Sequence, residues 1–339
     1  MTTNPDPEFI LRNFQVKPSP VKSICLTDNN ELLVADSDGV VKLWDLKTRR
    51  IKTSFRAATS NQPITALRLC NNTLITQTKD GVTVWNQSPQ TGAGSEHEFQ
   101  QIDLIDSIGV TFCPCEINHH DDATILCIPG QRQSTMYIRN IITRQQIILE
   151  ADGQFGMCMS AQFISSLAAA SDRSSLAAAG DRSSLATVSE KRMILIGYES
   201  GHLLLWDYSS NEIISSTKLH QESLLCFDFH NGLMKGLSGS TDNRLISWTI
   251  DAMTRTLVVR SEIKITNPGV NTVKIRRDGR IFVTGGWDKN IRIFNTRKMK
   301  QLAVLSFHKQ PINCVLFHKD NSVIVGSEDG QISVWSIYK

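Results

Sequence analysis

Residues 326–337 read GSEDGQISVWSI: an Asp-Gly pair, then a strictly alternating run ending on Trp335. Asp-Gly favours a tight hairpin because glycine takes positive φ without strain, and alternation marks a strand with one buried face. The same arrangement recurs along the chain. It stands as ADSDGVVKLWDL at 35–46, QTKDGVTVWNQ at 77–87, GYESGHLLLWDY at 197–208 and GSTDNRLISWTI at 239–250. GGWDKNIRIFNT at 285–296 follows the pattern with Phe294 in the tryptophan place. The anchor positions are Trp44, Trp85, Trp206, Trp248, Phe294 and Trp335, and most steps between them are 41 to 46 residues.

That period, in units of strand, turn, strand, turn, strand, is the period of a WD-type β-propeller blade. The step from Trp85 to Trp206 is 121 residues. It contains SSLAAASDR, SSLAAAGDR and SSLATVSEK, a nine-residue unit written three times at 165–191. Nine helical residues turn the chain through about 900°, so successive leucines would fall on opposite faces and form no apolar stripe. The unit reads as a Ser/Ala-rich loop insertion. Without its 27 residues the gap is 94, room for two steps and one hidden blade. That blade is expected at about 100–145, with STMYIRN as its third strand and Tyr137 in the tryptophan place. The chain is thus all-β, a seven-bladed WD40 β-propeller forming one domain over 1–339. The last repeat supplies three strands, so residues 8–14, within PEFILRNF, are expected to add the fourth. That pairing closes the ring and removes a free sheet edge.

The bulk numbers agree with a water-exposed globular chain: 339 residues, formal charge +3, 40 % hydrophobic and 20 % charged. No secretory signal is read at the start, and no run approaches the ~18 apolar residues of a membrane helix. The eight cysteines are scattered, so reduced thiols and a cytoplasmic and nuclear location are expected. Cys25, Cys226 and Cys314 fall inside apolar strands as small hydrophobes. No membrane association is expected, and the propeller is expected to be monomeric.

Polar sets recur at fixed offsets: His220, Ser240, Asp242 and Trp248, and again His308, Ser327, Asp329 and Trp335. A His–Ser–Asp set raises a hydrolase reading, but no G-x-S-x-G elbow accompanies it. The set occurs twice and decays elsewhere, with Ser200 where an Asp should stand. It resembles the structural tetrad of WD propellers, a buried network that fixes blade geometry. FCPCEINHHDD at 112–122 gathers Cys113, Cys115, His119, His120, Asp121 and Asp122. Cys-x-Cys is tighter than a structural zinc knuckle, and adjacent histidines diverge on a strand, so the run reads as an exposed polar loop. TGAGSE at 91–96 reads as a linker. Phosphate-loop, dinucleotide and metalloprotease motifs are lacking, so no enzyme activity, metal or cofactor is expected.

Charge is uneven. From Asp80 to Gln131 there are eight acids and no Lys or Arg; from Lys264 to Lys300 there are ten cations and two acids, Asp278 and Asp288. Opposite poles are therefore expected on blades three and six, about 154° apart in a seven-blade ring, to steer a charged partner. Trp287 lies in a turn between second and third strands, in register with Ser37, Lys79, Glu199, Thr241 and Glu328. An exposed Trp there is either a binding anchor or packed over its own turn. The candidate partner-binding set is Trp287 with Lys274, Arg276, Arg277, Arg280, Lys289, Arg292, Arg297 and Lys298.

Three stretches carry a family resemblance: DPEFILRNF at 6–14, the run from Ile265 to His308 with NPG at 267–269, and VGSEDGQISVWSIYK at 325–339. They resemble the guanine nucleotide-binding protein beta-subunit-like and ASTRA-associated WD-repeat proteins. The resemblance spans almost the whole chain and is strongest over 196–339; the 165–191 insert departs from it. It implies a non-enzymatic adaptor working with the Tel2–Tti (triple-T) co-chaperone machinery in assembling phosphatidylinositol 3-kinase-related kinases. It also implies a link to chromatin remodelling through the ASTRA assembly. A G-protein γ partner is not expected: its coiled coil needs heptads, whereas Pro5 and Pro7 precede a strand starting near residue 8. Rival readings are a ubiquitin-ligase substrate receptor and a chromatin-binding WD protein. Nucleic-acid binding is not expected, because the basic segment has few interleaved aromatics.

Overall fold

Each Trp-anchored repeat folds into one four-stranded antiparallel sheet in the computed structural model, which describes residues 5–12, 18–59, 61–87, 99–106, 112–120, 123–164 and 192–338. Blade 1 holds β2 (Val21–Leu26), β3 (Leu32–Asp36), β4 (Val40–Asp45) and β5 (Arg50–Arg56). Blade 2 holds β6 (Ala66–Cys70), β7 (Thr73–Thr78), β8 (Gly81–Gln87) and β9 (Phe99–Ile105). Blade 3 holds β10 (Glu116–His120), β11 (Ala123–Pro129), β12 (Thr135–Asn140) and β13 (Gln146–Glu150). Blade 4 holds β14 (Cys158–Ile164), β15 (Met193–Tyr198), β16 (His202–Asp207) and β17 (Glu212–Lys218). Blade 5 holds β18 (Leu224–His230), β19 (Lys235–Ser240), β20 (Arg244–Ile250) and β21 (Leu257–Lys264). Blade 6 holds β22 (Val270–Ile275), β23 (Ile281–Gly286), β24 (Ile291–Asn295) and β25 (Lys300–Leu305). Blade 7 takes β26 (Ile312–Phe317), β27 (Val323–Ser327) and β28 (Gln331–Trp335) from the end of the chain, and β1 (Phe9–Arg12) from its beginning.

Closure follows the expected route. Phe9 pairs with Val334 and Arg12 with Gln331, and Glu8 N donates to Val334 O at 2.8 Å. The described strand starts at Phe9, one residue later than the expected 8; residues 13 and 14 of the expected 8–14 lie outside the described residues. Leu11, 2 % exposed, packs with Ile332, Val334 and Trp44. The first strand of every blade packs against the first strand of the next, and β26 packs back against β2.

The seven cores lie between blades, one per gap. Trp335 packs with Ile291 and Ile293 of blade 6, Trp248 with Leu203 and Leu205 of blade 4, and Trp85 with Leu33 and Val41 of blade 1. The anchor tryptophan of a blade thus fills the seam with its predecessor. At the anchor the third strand also bulges against the fourth, at Trp44, Trp85, Trp206, Trp248 and Phe294.

The hidden blade exists, with different bounds. It starts at Glu116, because Phe99–Ile105 is the outer strand of blade 2, with Gln101 opposite Trp85. Tyr137 is not in the anchor place. Asn140 accepts from the Ile142 and Thr143 amides, just as Asp45, the residue after Trp44, accepts from Lys47 and Thr48. That Asx turn puts Arg139 in the tryptophan register, 3.9 Å from Asp103 of blade 2. Tyr137, two residues earlier, faces the same seam. Cys113 and Cys115 are not in an exposed loop. Both are fully buried, Cys113 in the core shared with blade 4 and Cys115 in the core shared with blade 2. His119 is exposed on β10, and Asp121 and Asp122 lie outside the described residues, as do 91–96 and the 165–191 insert.

Candidate partner-binding surface

One end of the ring is defined by a repeated backbone bond. The first residue of the turn between second and third strands donates its amide to the carbonyl just before the inner strand. The pairs are Ser37 to Pro20 (3.0 Å), Glu199 to Met157 (2.8 Å), Thr241 to Ser223 (3.2 Å), Trp287 to Gly269 (2.9 Å) and Glu328 to Pro311 (2.9 Å). This is the register in which the sequence placed Trp287. Its side chains differ from blade to blade. The Glu328 carboxylate meets Lys22 Nζ at 2.7 Å and so ties blade 7 to blade 1. Glu199 accepts the Met157 amide at 3.2 Å.

Trp287 is both packed and presented. Its ring lies over Gly269, whose φ is +85°; a Cβ there would stand 2.2 Å from the indole. The other side leaves the residue 46 % exposed. Lys289, two residues on, holds φ +70° where Gly39, Gly201 and Gly330 serve in other blades. A side chain kept in a left-handed backbone is costly, and such strain concentrates at functional sites.

Beneath Trp287 the polar set of blade 6 is rebuilt. Asp288 accepts from Asn267 Nδ2 at 2.9 Å, from Asn290 Nδ2 at 3.1 Å and from both terminal nitrogens of Arg292. Burial alone would raise the Asp288 pKa, but those donors hold its carboxyl well below the usual range. Arg292 is therefore a buried structural partner, not a free contact group. Asn267, in the NPG turn, takes the histidine's place as donor to the Asp, without the onward bond to a seam hydroxyl that His220 and His308 make.

The histidine networks form, with a membership that differs from the expected one. In blade 7, His308 Nδ1 lies 3.0 Å from Asp329 Oδ2, its Nε2 lies 2.8 Å from Ser333 Oγ, and Ser333 accepts from Trp335 Nε1 at 2.7 Å. In blade 5, His220 spans Asp242 at 3.3 Å and Ser238 at 2.9 Å. Ser327 and Ser240 do not bridge. They sit at the ends of β27 and β19, where they accept the Asp329 and Asp242 amides, both at 3.2 Å, and shape the turn. The bridge needs a hydroxyl on the seam face beside the imidazole. Ser333 meets that from the third strand, two residues before its Trp, and Ser238 from the second strand opposite Ile246.

The rest of the basic set is dispersed. Lys274 points into the central channel and pairs with Asp228 at 2.8 Å. Arg68 and Glu116 form a similar link between blades 2 and 3 at 2.7 Å. The acidic pole therefore spans two blades and is partly neutralised. Arg276 is buried against Asp278 at 2.7 Å. Arg277, Arg280, Arg297 and Lys298 are exposed at the opposite end of blade 6 from Trp287. Only Lys289 of the set shares the Trp287 turn.

The channel encloses about 950 Å³, lined by the inner strands. At the Trp287 end its mouth is edged by Phe112, Met157, Met159 and Leu225 as well as Trp287. Phe112 is 78 % exposed. Phe112 and the two methionines have no repeat register to mark them in the sequence. Cys25, Cys226 and Cys314 lie on the inner strands as expected; burial pushes each thiol up to about 12.

The WD domain, G-beta repeat family matches residues 9–45, 261–295 and 299–336. Guanine nucleotide-binding protein subunit beta-like protein 1 of Mus musculus is 32 % identical, over 98 % of this chain and 97 % of its own. The chain belongs to the guanine nucleotide-binding protein subunit beta-like protein 1 family. ASTRA-associated protein 1 of Schizosaccharomyces japonicus is 26 % identical and that of Schizosaccharomyces pombe 24 %, each over 98 % of this chain and 99 % of its own. A member of this beta-like family with this fold is a WD-repeat scaffold for protein–protein contacts. His220 and His308 are buried, and their partners Asp242 and Asp329 are half-buried.

Proposed function

We propose that this scaffold is an adaptor for the Tel2–Tti co-chaperone machinery in the assembly and stability of phosphatidylinositol 3-kinase-related kinases, in cytoplasm and nucleus. The full-length likeness to fungal proteins named ASTRA-associated supports the reading. The contact is made at the mouth edged by Trp287, Phe112 and Met157. A half-exposed Trp on a stiff turn has the make-up of an interface hot spot. A rigid ring with two faces holds co-chaperone and client together and raises their effective concentration without chemistry.

The test is quantitative affinity purification of tagged protein from cells, wild type beside Trp287→Ala, with the melting temperature of the variant measured first. Tel2–Tti components and related kinases should be enriched with wild type and reduced with the folded variant. Equal recovery with both would keep the role and move the contact elsewhere. Failure of both to recover them would end the adaptor reading.

A further inference from the structure

The far end of blade 6 carries five exposed cations: Arg277 and Arg280 in the β22–β23 turn, Arg297 and Lys298 in the β24–β25 turn, and Lys300 at the start of β25. The two turns are one unit. Thr296 N donates to Arg280 O at 3.0 Å, and Asn295 is paired with both Ile281 and Lys300. Blade 5 braces them. His230 Nε2 lies 2.8 Å from Arg277 O, Lys235 Nζ donates to Thr296 O at 2.6 Å, and Leu233 fills the space beside Gly279 where a Cβ would stand. The one acid in these turns, Asp278, is engaged by Arg276 through bonds of 2.9 and 2.7 Å. Arg280 stands 3.9 Å from it with its side chain 81 % exposed. Arg277, Arg297, Lys298 and Lys300 have no ion-pair partner among the described residues. In the matching turn of blade 7, Asp320 is engaged by His318 and Ser322.

We propose that this surface is a second docking site, for an acidic protein segment rich in Asp and Glu. Guanidinium forks match carboxylates in two-point bonds, and here the backbone that carries them is already fixed. Leu233 and Tyr338, 47 % and 46 % exposed, add apolar contact beside the charges, which suits a peptide. Tyr338 is tied to the patch through its carbonyl, which accepts from Arg276. A single-stranded nucleic acid would need a longer cationic track with successive stacking aromatics. The site faces away from Trp287, so both can be occupied at once.

The test is fluorescence anisotropy of the full chain with a labelled poly-glutamate peptide, and with labelled single-stranded RNA at the same salt. The peptide should bind saturably and more weakly as salt rises. The triple variant Arg277→Glu, Arg280→Glu, Arg297→Glu should weaken it about tenfold, the sum of several exposed pairs. Lys298→Ala with Lys300→Ala gives a milder second reading should the triple variant misfold. Lys47→Glu with Arg50→Glu, exposed in blade 1, shifts net charge while leaving the patch intact, and should bind like wild type. Equal affinity in the patch variants, equal loss in the blade 1 variant, no binding at low salt, or preference for RNA would each overturn the proposal.

Discussion

Trp335 Nε1 lies 2.7 Å from Ser333 Oγ, and that bond completes in blade 7 a network that stops short in blade 5. There the bridging hydroxyl is on the second strand, and Trp248 Nε1 reaches no acceptor among the described residues. Ser333→Ala therefore strands two buried polar groups, the His308 ring nitrogen and the Trp335 indole; Ser238→Ala strands one. An unsatisfied buried group costs about 1–3 kcal/mol. Urea unfolding followed by tryptophan fluorescence should show the larger loss for Ser333→Ala. Equal losses would mean that the indole bond contributes nothing.

Stability should fall in two stages as pH is lowered. Burial holds the His220 pKa below its ordinary 6.5, outweighing the pull of Asp242; burial and nearby Lys218 do the same for His202. A depressed histidine is protonated in the unfolded chain first, so its contribution is whole above ~6.5 and fades as pH drops toward the folded value. The carboxylates act lower. Burial raises Asp329 and Asp320, but hydrogen bonds from His308 to the first, and from Ser322 and His318 to the second, bring both below 3.8, Asp320 to about 2. Their contribution is present above ~3.9 and lost as pH falls through those lowered values. The melting temperature should drift down from pH ~6.5 and drop steeply below pH ~4. His220→Gln should flatten the first stage only. An unchanged slope would remove His220 from that role.

Among the described residues, ring closure rests on Glu8 and the four residues of β1. Leu11→Ala should cost about 2–5 kcal/mol, because its seam against Ile332 and Trp44 cannot collapse from either side. Deleting residues 1–16 removes the partner of β28 and bares a strand edge. Calorimetry should show a lower melting temperature, and size-exclusion chromatography should show self-association. A truncated chain that melts like wild type and runs as a monomer would refute closure through β1.

The blade count, the closure and the anchor positions were legible because each rests on a local signal that repeats: a turn pair, an alternating strand, a Trp at fixed spacing. What repeats only in space was not. Ser333 and Ser238 occupy opposite members of cross-strand pairs, and register is invisible until strands are aligned, so the terminal serines of β27 and β19 drew attention instead. Tyr137 looked like an anchor because it is aromatic and nearly in place, yet the Asx turn at Asn140 shows a two-residue offset. The basic run of blade 6 is continuous in sequence but divided by its own turns. A chain that reverses every six residues sends neighbours such as Arg280 and Lys289 to opposite ends.

The insert at 165–191 offers a test that needs no knowledge of its own shape. Ile164 ends β14 and Met193 opens β15, and these two residues face each other as a cross-strand pair. A two-residue Asn-Gly turn is the natural connection for ends so placed. Loop closure entropy grows by ~0.6 kcal/mol per doubling of length, so a short turn should leave stability unchanged or raise it by about 1–2 kcal/mol. Both residues belong to the core between blades 4 and 5: Ile164 packs with Leu203 and Phe229, and Met193 with Leu205. The shortened chain should fold with an equal or higher melting temperature in differential scanning calorimetry. If it melts clearly lower, the repeat carries contacts that hold blade 4, and its reading as a loop insertion must be given up. If melting is kept but recovery of Tel2–Tti components falls, the insert belongs to the docking function rather than to the fold.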